Sequence, residues 1–221
     1  MKKLSAFTIV EIVVVFCLIL LTATFVVPEL IKDNKKLNTI SQWKHAYQNI
    51  DYIFSAVRVN NDKNDRLALE QAKDDNERIE TLFTILNPYI RIKSDLNEKD
   101  YKIRFYNGKF PTTNDIYSFN KFKILNSGHI VGLKWLNDFK HSDKTLPFAM
   151  MLFDINGIDK PNTWGEDIFA VKIYKGKIEP VGKEYSDNTL MMKRDCSKHG
   201  LGIACSYYYN IYGGSITGSE R

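Results

Sequence analysis

The sequence lacks the short motifs that mark the common enzyme classes. It has no glycine-rich phosphate loop, no Gly-x-Ser-x-Gly nucleophile motif and no His-Glu-x-x-His zinc motif. No pair of acidic residues stands in a recognisable pocket context. The four histidines share no common spacing: His45, His129, His141 and His199. We therefore predict that the chain is not an enzyme and requires no cofactor.

The sequence also has little excess charge. Its formal net charge is +5, and Lys2 and Lys3 supply two of these charges, so the balance is too mild to imply nucleic acid by itself. Hydrophobic residues make up 44% and charged residues 26%, as in ordinary folded proteins. The 221 residues suffice for one domain and an anchor, and no internal repeat is visible.

Cysteine is scarce, with three residues in the chain. Cys17 lies in an apolar run, whereas Cys196 and Cys205 lie close together near the C-terminus. A disulfide between these two is expected if that part of the chain lies outside the cytoplasm. Two alternatives remain open: zinc binding together with His199, and a free pair in a reducing compartment.

The strongest signal is a long apolar run near the N-terminus. Phe7 to Val27 comprises 21 residues with a single charge, Glu11, and a helix of that length rises about 30 Å, enough to cross a bilayer core. Lysines before the run orient the N-terminus to the cytoplasm and place everything after Pro28 outside. A secretory signal peptide would be shorter. An ordinary anchor would not explain Glu11, because a carboxylate in hydrocarbon needs a partner.

These residues resemble the type IV pilin and pseudopilin family. Its precursors carry a short basic leader, a cleavage site just before Phe, and Phe-Thr-Leu-Ile-Glu at the start of a hydrophobic helix. This chain has Phe7-Thr8-Ile9-Val10-Glu11 after a leader of residues 1–6. Counted from Phe7, Glu11 is the fifth residue and Pro28 the twenty-second, where many pilins have a helix-kinking proline. The residue before the cut is usually Gly in the family and is Ala6 here.

The resemblance implies a mechanism for this helix. Prepilin peptidase would cut between Ala6 and Phe7 and N-methylate the new amine. Glu11 would then neutralise the N-terminal amine of a neighbouring subunit during assembly, and residues 7–28 would form the transmembrane and assembly helix. The alternative for Glu11 is a side chain that snorkels to the membrane interface.

The resemblance also implies partners and a location. The partners would be other pilin subunits, the prepilin peptidase and the inner-membrane assembly platform. The chain would cross the inner membrane once and then enter an extracellular filament or a periplasmic pseudopilus. The expected function is a minor pilin in adhesion, motility or DNA uptake. The alternatives are a minor pseudopilin of a type II secretion system and a membrane-anchored binding domain that never assembles.

The remainder, residues 29–221, is predicted to be one α+β domain, with a long N-terminal helix on an antiparallel sheet as in pilins. Apolar residues three or four apart, such as Leu37, Ile40 and Trp43, extend the helix to about residue 58. A helical insertion is predicted at 66–87, ended by Asn87-Pro88. The sheet is predicted over residues 100–215. Its strand candidates are 101–105, 122–124, 129–133, 147–153, 168–174 and 178–181.

The segment 154–167 joins two of these strands and is rich in oxygen-bearing side chains. Asp154, Asn156, Asp159 and Asp167 are candidate calcium ligands, because Ca²⁺ prefers carboxylate and carbonyl oxygens. Some pseudopilins hold calcium in a loop of the sheet region. The spacing is not that of an EF-hand. The alternative is a loop fixed by Asx-turns, with Gly157 and Gly165 at positive φ.

An aromatic segment follows the cysteines. The residues from Ser206 to Gly214 include four tyrosines and are predicted to form an edge strand. Many pilins close a C-terminal loop by a disulfide, and in adhesive ones that loop faces outward. The tyrosines are therefore also candidates for contact with a host receptor, a sugar or DNA, with packing of the last strand as the simpler interpretation.

Overall fold

The computed structural model describes residues 8–60, 63–137, 139 and 145–212. The chain divides into two compact units, Met1–Asn38 and Thr39–Arg221. The first helix, α1 (Ile9–Asn60), contributes to both and contains Pro28 within its length. Its end at Asn60 lies close to the predicted end at about residue 58.

The first unit is the apolar part of α1. Its large apolar side chains from Ile9 to Ile31 are exposed. Within the described residues, α1 is the one helix that is long and apolar enough to cross a membrane, a property that it shares with signal sequences near the N-terminus. The exposed surface is therefore suited to lipid or to another apolar helix.

Among its described residues, the second unit contains four further α-helices and two short 3₁₀ helices, Glu98–Asp100 and Lys183–Tyr185. The α-helices are α2 (Lys63–Gln71), α3 (Asp75–Ile90), α4 (Thr189–Asp195) and α5 (Cys205–Tyr212). The Asp74 side chain caps α3 by accepting a hydrogen bond from the Glu77 N–H. The predicted insertion is thus two helices, because α2 ends before the polar segment that caps α3.

Six strands form one antiparallel sheet in the order of the chain. They are β1 (Ile92–Leu96), β2 (Lys121–Leu125), β3 (Ile130–Trp135), β4 (Ala149–Asp154), β5 (Ile168–Tyr174) and β6 (Lys177–Pro180). Each strand pairs with its neighbour in sequence, so the sheet is a simple meander. The α+β architecture is therefore confirmed for the described chain.

Both faces of the sheet are covered. On one face, Met151 and Phe153 of β4 belong to a core cluster that includes Trp43 of α1 and Phe83 of α3. On the other face, Met150 and Leu152 belong to a second cluster. Because alternate residues of β4 enter different cores, all six residues of the strand are buried. This confirms the buried central strand that the apolar run at 147–153 predicted.

Two predicted strands are wrong. Residues 101–105 alternate between buried and exposed, yet they form no strand, and Arg104 makes only an isolated bridge to Thr163. Their apolar side chains instead pack in the second cluster. The aromatic segment after Cys205 is a helix, α5, with Tyr209 buried. Gly213 and Gly214 lie outside the described residues. The sheet therefore begins at Ile92, before the predicted start at residue 100, and ends at Pro180, well before the predicted end at residue 215.

The end of α3 also differs from the prediction. Pro88 lies inside the helix, which continues to Ile90. Arg91, at φ 53°, then closes it, with its N–H donating to the Asn87 carbonyl at 2.9 Å. The Asn87 side chain accepts from the Ile92 N–H at 2.9 Å and so joins the helix end to β1.

Candidate functional site

The beginning of α1 is held by three reciprocal hydrogen bonds between Thr8 and Glu11. The Thr8 N–H and hydroxyl donate to Glu11 Oε2 at 2.8 and 2.9 Å, and the Glu11 N–H donates to Thr8 Oγ1 at 3.3 Å. This is a capping box, which satisfies backbone donors that have no partner inside the helix. The predicted processing residues Ala6 and Phe7 lie outside the described residues.

The capping box gives Glu11 a local role that the sequence analysis did not consider. Thr-x-x-Glu is its sequence signature, and Thr8 and Glu11 have that spacing. The interaction satisfies the carboxylate within a single chain. It does not test whether Glu11 later pairs with the amine of a neighbouring subunit. That role and the assembly role of Pro28 remain predictions.

In the acidic loop, Asp154 is fully buried at the end of β4. Its Oδ1 accepts from the N–H groups of Asn156 and Gly157, both at 3.1 Å. Its Oδ2 accepts a hydrogen bond from the Tyr101 hydroxyl. Tyr101 is 53 residues distant in sequence, so no local pattern indicated this contact.

Asp167 lies at the other end of the loop and is 3% exposed. Its Oδ2 accepts from the Asn162 N–H at 2.8 Å, and its Oδ1 accepts from the Thr163 N–H at 2.6 Å. Gly157 and Gly165 have φ values of 74° and 81°. A Cβ at Gly165 would lie 2.5 Å from Cys205 Sγ, so the turn passes directly against the disulfide.

Burial dominates the electrostatics of these two acids. It raises the pKa of Asp154 to about 8, although the hydrogen bond from Tyr101 acts in the opposite direction, and the nearby charge of Asp167 adds to the increase. Burial also raises the pKa of Asp167, against the lowering effect of the Thr163 and Asn162 N–H groups. The two carboxyl groups therefore resist being ionised together.

The arrangement fits an Asx-type loop better than a calcium site. The oxygens of Asp154 and Asp167 are already used as acceptors, while Asp159 is exposed and Asn156 donates to the Lys160 carbonyl at 3.4 Å. Across the described ranges, no group of three or more His, Cys, Asp or Glu is close enough to hold a metal ion. Calcium ligation by these four residues would require the loop contacts to be broken, and it remains a prediction.

Cys196 and Cys205 form a disulfide. The predicted pair is thus present as a disulfide, and in this state the two sulfurs are not thiolate ligands for zinc. The bond connects the end of α4 to the start of α5. The loop between them is also fixed by Asp195, which accepts from the Leu201 N–H at 3.0 Å and from the Ala204 N–H at 2.7 Å.

We expect reduction of this disulfide to lower the free energy of unfolding by about 2–3 kcal/mol, because a short loop in the unfolded chain becomes free. The measurement is thermal unfolding with and without a thiol reductant. A Cys17→Ser variant should show the same loss on reduction. It serves as the control for any effect of the reductant on Cys17, which is a free, exposed cysteine of α1. An equal midpoint in both redox states would contradict the expectation.

Comparisons with protein-family models, with curated proteins and with solved structures found no match.

Proposed function

We propose that this chain is a type IV pilin-like filament subunit, most simply a minor pilin, that is cut before Phe7 and assembled through its apolar N-terminal helix. The observation that carries the proposal is the first part of α1. Its apolar side chains from Ile9 to Ile31 are exposed, and Glu11 is the single charged residue between Phe7 and Val27. Such a surface needs lipid before assembly and neighbouring helices after it.

The globular unit is compatible with this role. From Ile40 onward α1 enters the core of the sheet-bearing unit, so one helix provides both the apolar run and a structural element of the folded unit. A subunit that must carry a folded unit into a filament needs such a continuous connection. The pseudopilin alternative shares all these features and differs only in the filament that is built.

A second candidate function is a membrane-anchored binding domain that never assembles. The capping box favours it, because Glu11 Oε2 already accepts two hydrogen bonds from Thr8 of the same chain and so has a partner without a neighbouring subunit. Under this candidate the charge of Glu11 has no further task.

Intact mass spectrometry of the protein from its native membrane tests the processing step. The proposal expects a mature chain that starts at N-methylated Phe7. A chain that keeps Met1, or one cut near Pro28, would contradict it and favour an anchored or secreted binding domain.

Two variants separate the roles of Glu11. Glu11→Gln keeps a side chain that can complete a capping box but removes the charge. We expect its sheared filament fraction to fall by more than about tenfold, because an unpaired buried amine costs about 3–5 kcal/mol. Thr8→Val removes the capping hydroxyl and keeps the charge, at a cost of about 1 kcal/mol to the helix. Equal, measurable filament yields for Glu11→Gln and the unmodified protein would contradict the charge role of Glu11, whereas no filaments from either protein would favour the non-assembling candidate.

A further inference from the structure

The globular unit exposes an apolar patch on its two C-terminal helices. The patch, called the α4–α5 patch below, consists of Leu190, Met191, Ile211 and Tyr212, which are 79%, 53%, 56% and 44% exposed. Single exposed apolar residues are ordinary, but a contiguous group on a folded unit indicates a surface that is covered in use.

The members of the patch are neighbours because the two helices are joined. The disulfide between Cys196 and Cys205 links α4 to α5. At the other ends of these helices, Thr189 Oγ1 lies 3.5 Å from the Tyr212 hydroxyl. Leu190 directly follows Thr189 in α4, so the start of α4 and the end of α5, which carry these apolar residues, lie side by side.

Two cations accompany the apolar side chains. Lys193 and Arg194 are exposed and lie three and four residues after Leu190, on the same side of α4. Within the described chain neither makes an ion pair, and the adjacent Asp195 is used by loop N–H groups. Lys198 follows in the loop, and Asp187 is an exposed acid that precedes α4. The patch thus combines apolar and aromatic side chains with an excess of positive charge.

The patch is attached close to the point where α1 enters the globular unit. The Trp43 Nε1–H donates to the Ser206 carbonyl of α5 at 2.8 Å. Trp43 lies twelve residues after Ile31, where the exposed apolar residues of the N-terminal run end. Twelve residues span at most about 40 Å whatever their conformation. The chain itself therefore limits how far Trp43, and the α5 carbonyl to which it is bonded, can lie from the end of the apolar run.

Lysine is the residue type that separates a lipid surface from a protein partner here, because it is depleted in protein–protein interfaces, whereas Met, Tyr and Arg are enriched there and do not discriminate. Leu, Met and Tyr beside Lys and Arg are instead typical of surfaces that lie in the headgroup region, where anionic lipids attract the cations. Tethering by the anchor helix also raises the effective concentration of lipid at the patch.

We propose that the α4–α5 patch docks on the surface of a membrane containing anionic lipids while the chain is held by its N-terminal helix. The proposal rests on the anchoring part of the proposed function and is independent of filament assembly. It gives the disulfide-linked helices a role at the membrane: they hold the globular unit against the lipid surface.

The test uses the full chain in vesicles, with a nitroxide label on Leu190→Cys in a Cys17→Ser background and the native disulfide kept oxidised. Vesicles of phosphatidylglycerol and phosphatidylethanolamine are compared with vesicles of phosphatidylcholine. The accessibility of the label to oxygen and to a water-soluble nickel complex is measured. The control label is Tyr52→Cys, because Tyr52 is a 74% exposed residue in the part of α1 that belongs to the globular unit.

In anionic vesicles the label at 190 is expected to be accessible to oxygen and shielded from nickel, while the label at 52 stays in water. Replacing Lys193 and Arg194 by Gln should lower the docking equilibrium about fivefold per charge, and high salt should do the same. The matched pair Lys99→Gln and Lys102→Gln, exposed lysines outside the patch, should leave it unchanged.

Three outcomes would overturn the proposal. A label at 190 that stays aqueous in anionic vesicles at low salt shows that no docking occurs. A label shielded only at high protein-to-lipid ratio, and exposed again on dilution with lipid, shows contact between copies of this chain. A chain that carbonate extracts from the vesicles has no anchor, and this result would overturn the proposed function as well. The first two leave the proposed function standing.

Discussion

Replacing Trp43 by alanine is expected to lower the free energy of unfolding of the globular unit by about 3–5 kcal/mol. Trp43 is fully buried and stacks on Phe169 of β5, with ring centroids 4.9 Å apart and an interplanar angle of 16°. Its Nε1–H donates to the Ser206 carbonyl of α5 at 2.8 Å. The substitution therefore leaves a large cavity and an acceptor without its partner at the junction of α1, the sheet and α5.

Two control variants separate the contributions. Trp43→Phe keeps an aromatic ring near Phe169 but removes the donor, and we expect a smaller loss of about 1–2 kcal/mol. Tyr52→Ala, in the same helix but at a 74% exposed position, should change the stability by less than about 0.5 kcal/mol.

The measurement is urea unfolding of the full chain in detergent, followed by near-ultraviolet circular dichroism. Hydrogen exchange should also speed up in α5 for Trp43→Ala, because that helix loses its bond to α1. If Trp43→Ala lowered the free energy of unfolding no more than Trp43→Phe does, the packing of the Trp43 ring would not contribute as expected.

Most of the sheet could be predicted because its strands carry local signals. β3 and β5 are rich in β-branched and aromatic residues, and Lys175-Gly176 separates β5 from β6 as a short turn. The run at 147–153 predicted a strand buried on both faces, and β4 is such a strand. β1 was missed because its middle residues, Lys93, Ser94 and Asp95, are all polar and exposed.

Two segments show where alternation fails as a signal for strands. Residues 101–105 alternate in burial as a half-buried strand would, but the pattern reports only which side chains meet the core. It does not report whether the backbone finds a pairing partner, and Arg104 finds only an isolated bridge to Thr163.

In α5 the tyrosines favour a strand by propensity, but tertiary contacts override it. The disulfide at Cys205 and the bond from Trp43 to Ser206 fix the start of the segment. A helix then buries Tyr209 while Tyr208 and Tyr212 pack together at a centroid distance of 5.1 Å.

The candidate sites also divide into those built from residues close in sequence, which could be predicted, and those built from distant residues, which could not. The spacing of Cys196 and Cys205 and the Thr-x-x-Glu signature of the capping box can be read from the sequence, because both depend on residues close in the chain. The Tyr101 contact to Asp154 depends on how distant segments meet, so it could not be predicted.

The stability of the globular unit is expected to fall as the pH rises from about 5 to 8. Asp154 has a pKa of about 8 in the folded chain, against 3.8 for an unperturbed side chain, because burial disfavours its charged form. The folded chain therefore keeps a proton that the unfolded chain releases above about pH 4. The stabilisation is complete below that pH and is lost as the pH rises through 8, with a slope of at most about 1.4 kcal/mol per pH unit.

The measurement is urea unfolding at a series of pH values, with Asp154→Asn as the test variant. An amide at this position can still accept from the Asn156 and Gly157 N–H groups and can donate to the Tyr101 oxygen. Because it cannot ionise, we expect the slope between pH 5 and 8 to become shallower. A flat profile for the unmodified protein would contradict the raised pKa of Asp154.

The Asp167→Asn variant distinguishes a proton held by Asp154 from a loss of loop stability that is the same at every pH. Both oxygens of Asp167 accept backbone N–H groups, from Thr163 and Asn162, whereas an amide offers a single oxygen. Its NH₂ group would face a backbone donor, so this variant should be destabilised at every pH and keep most of the slope due to Asp154. If Asp154→Asn behaved in the same way, the pH dependence would arise outside this pair. If only Asp154→Asn lost the pH dependence of the stability, the buried proton lies on Asp154, the side chain that joins β4 to Tyr101.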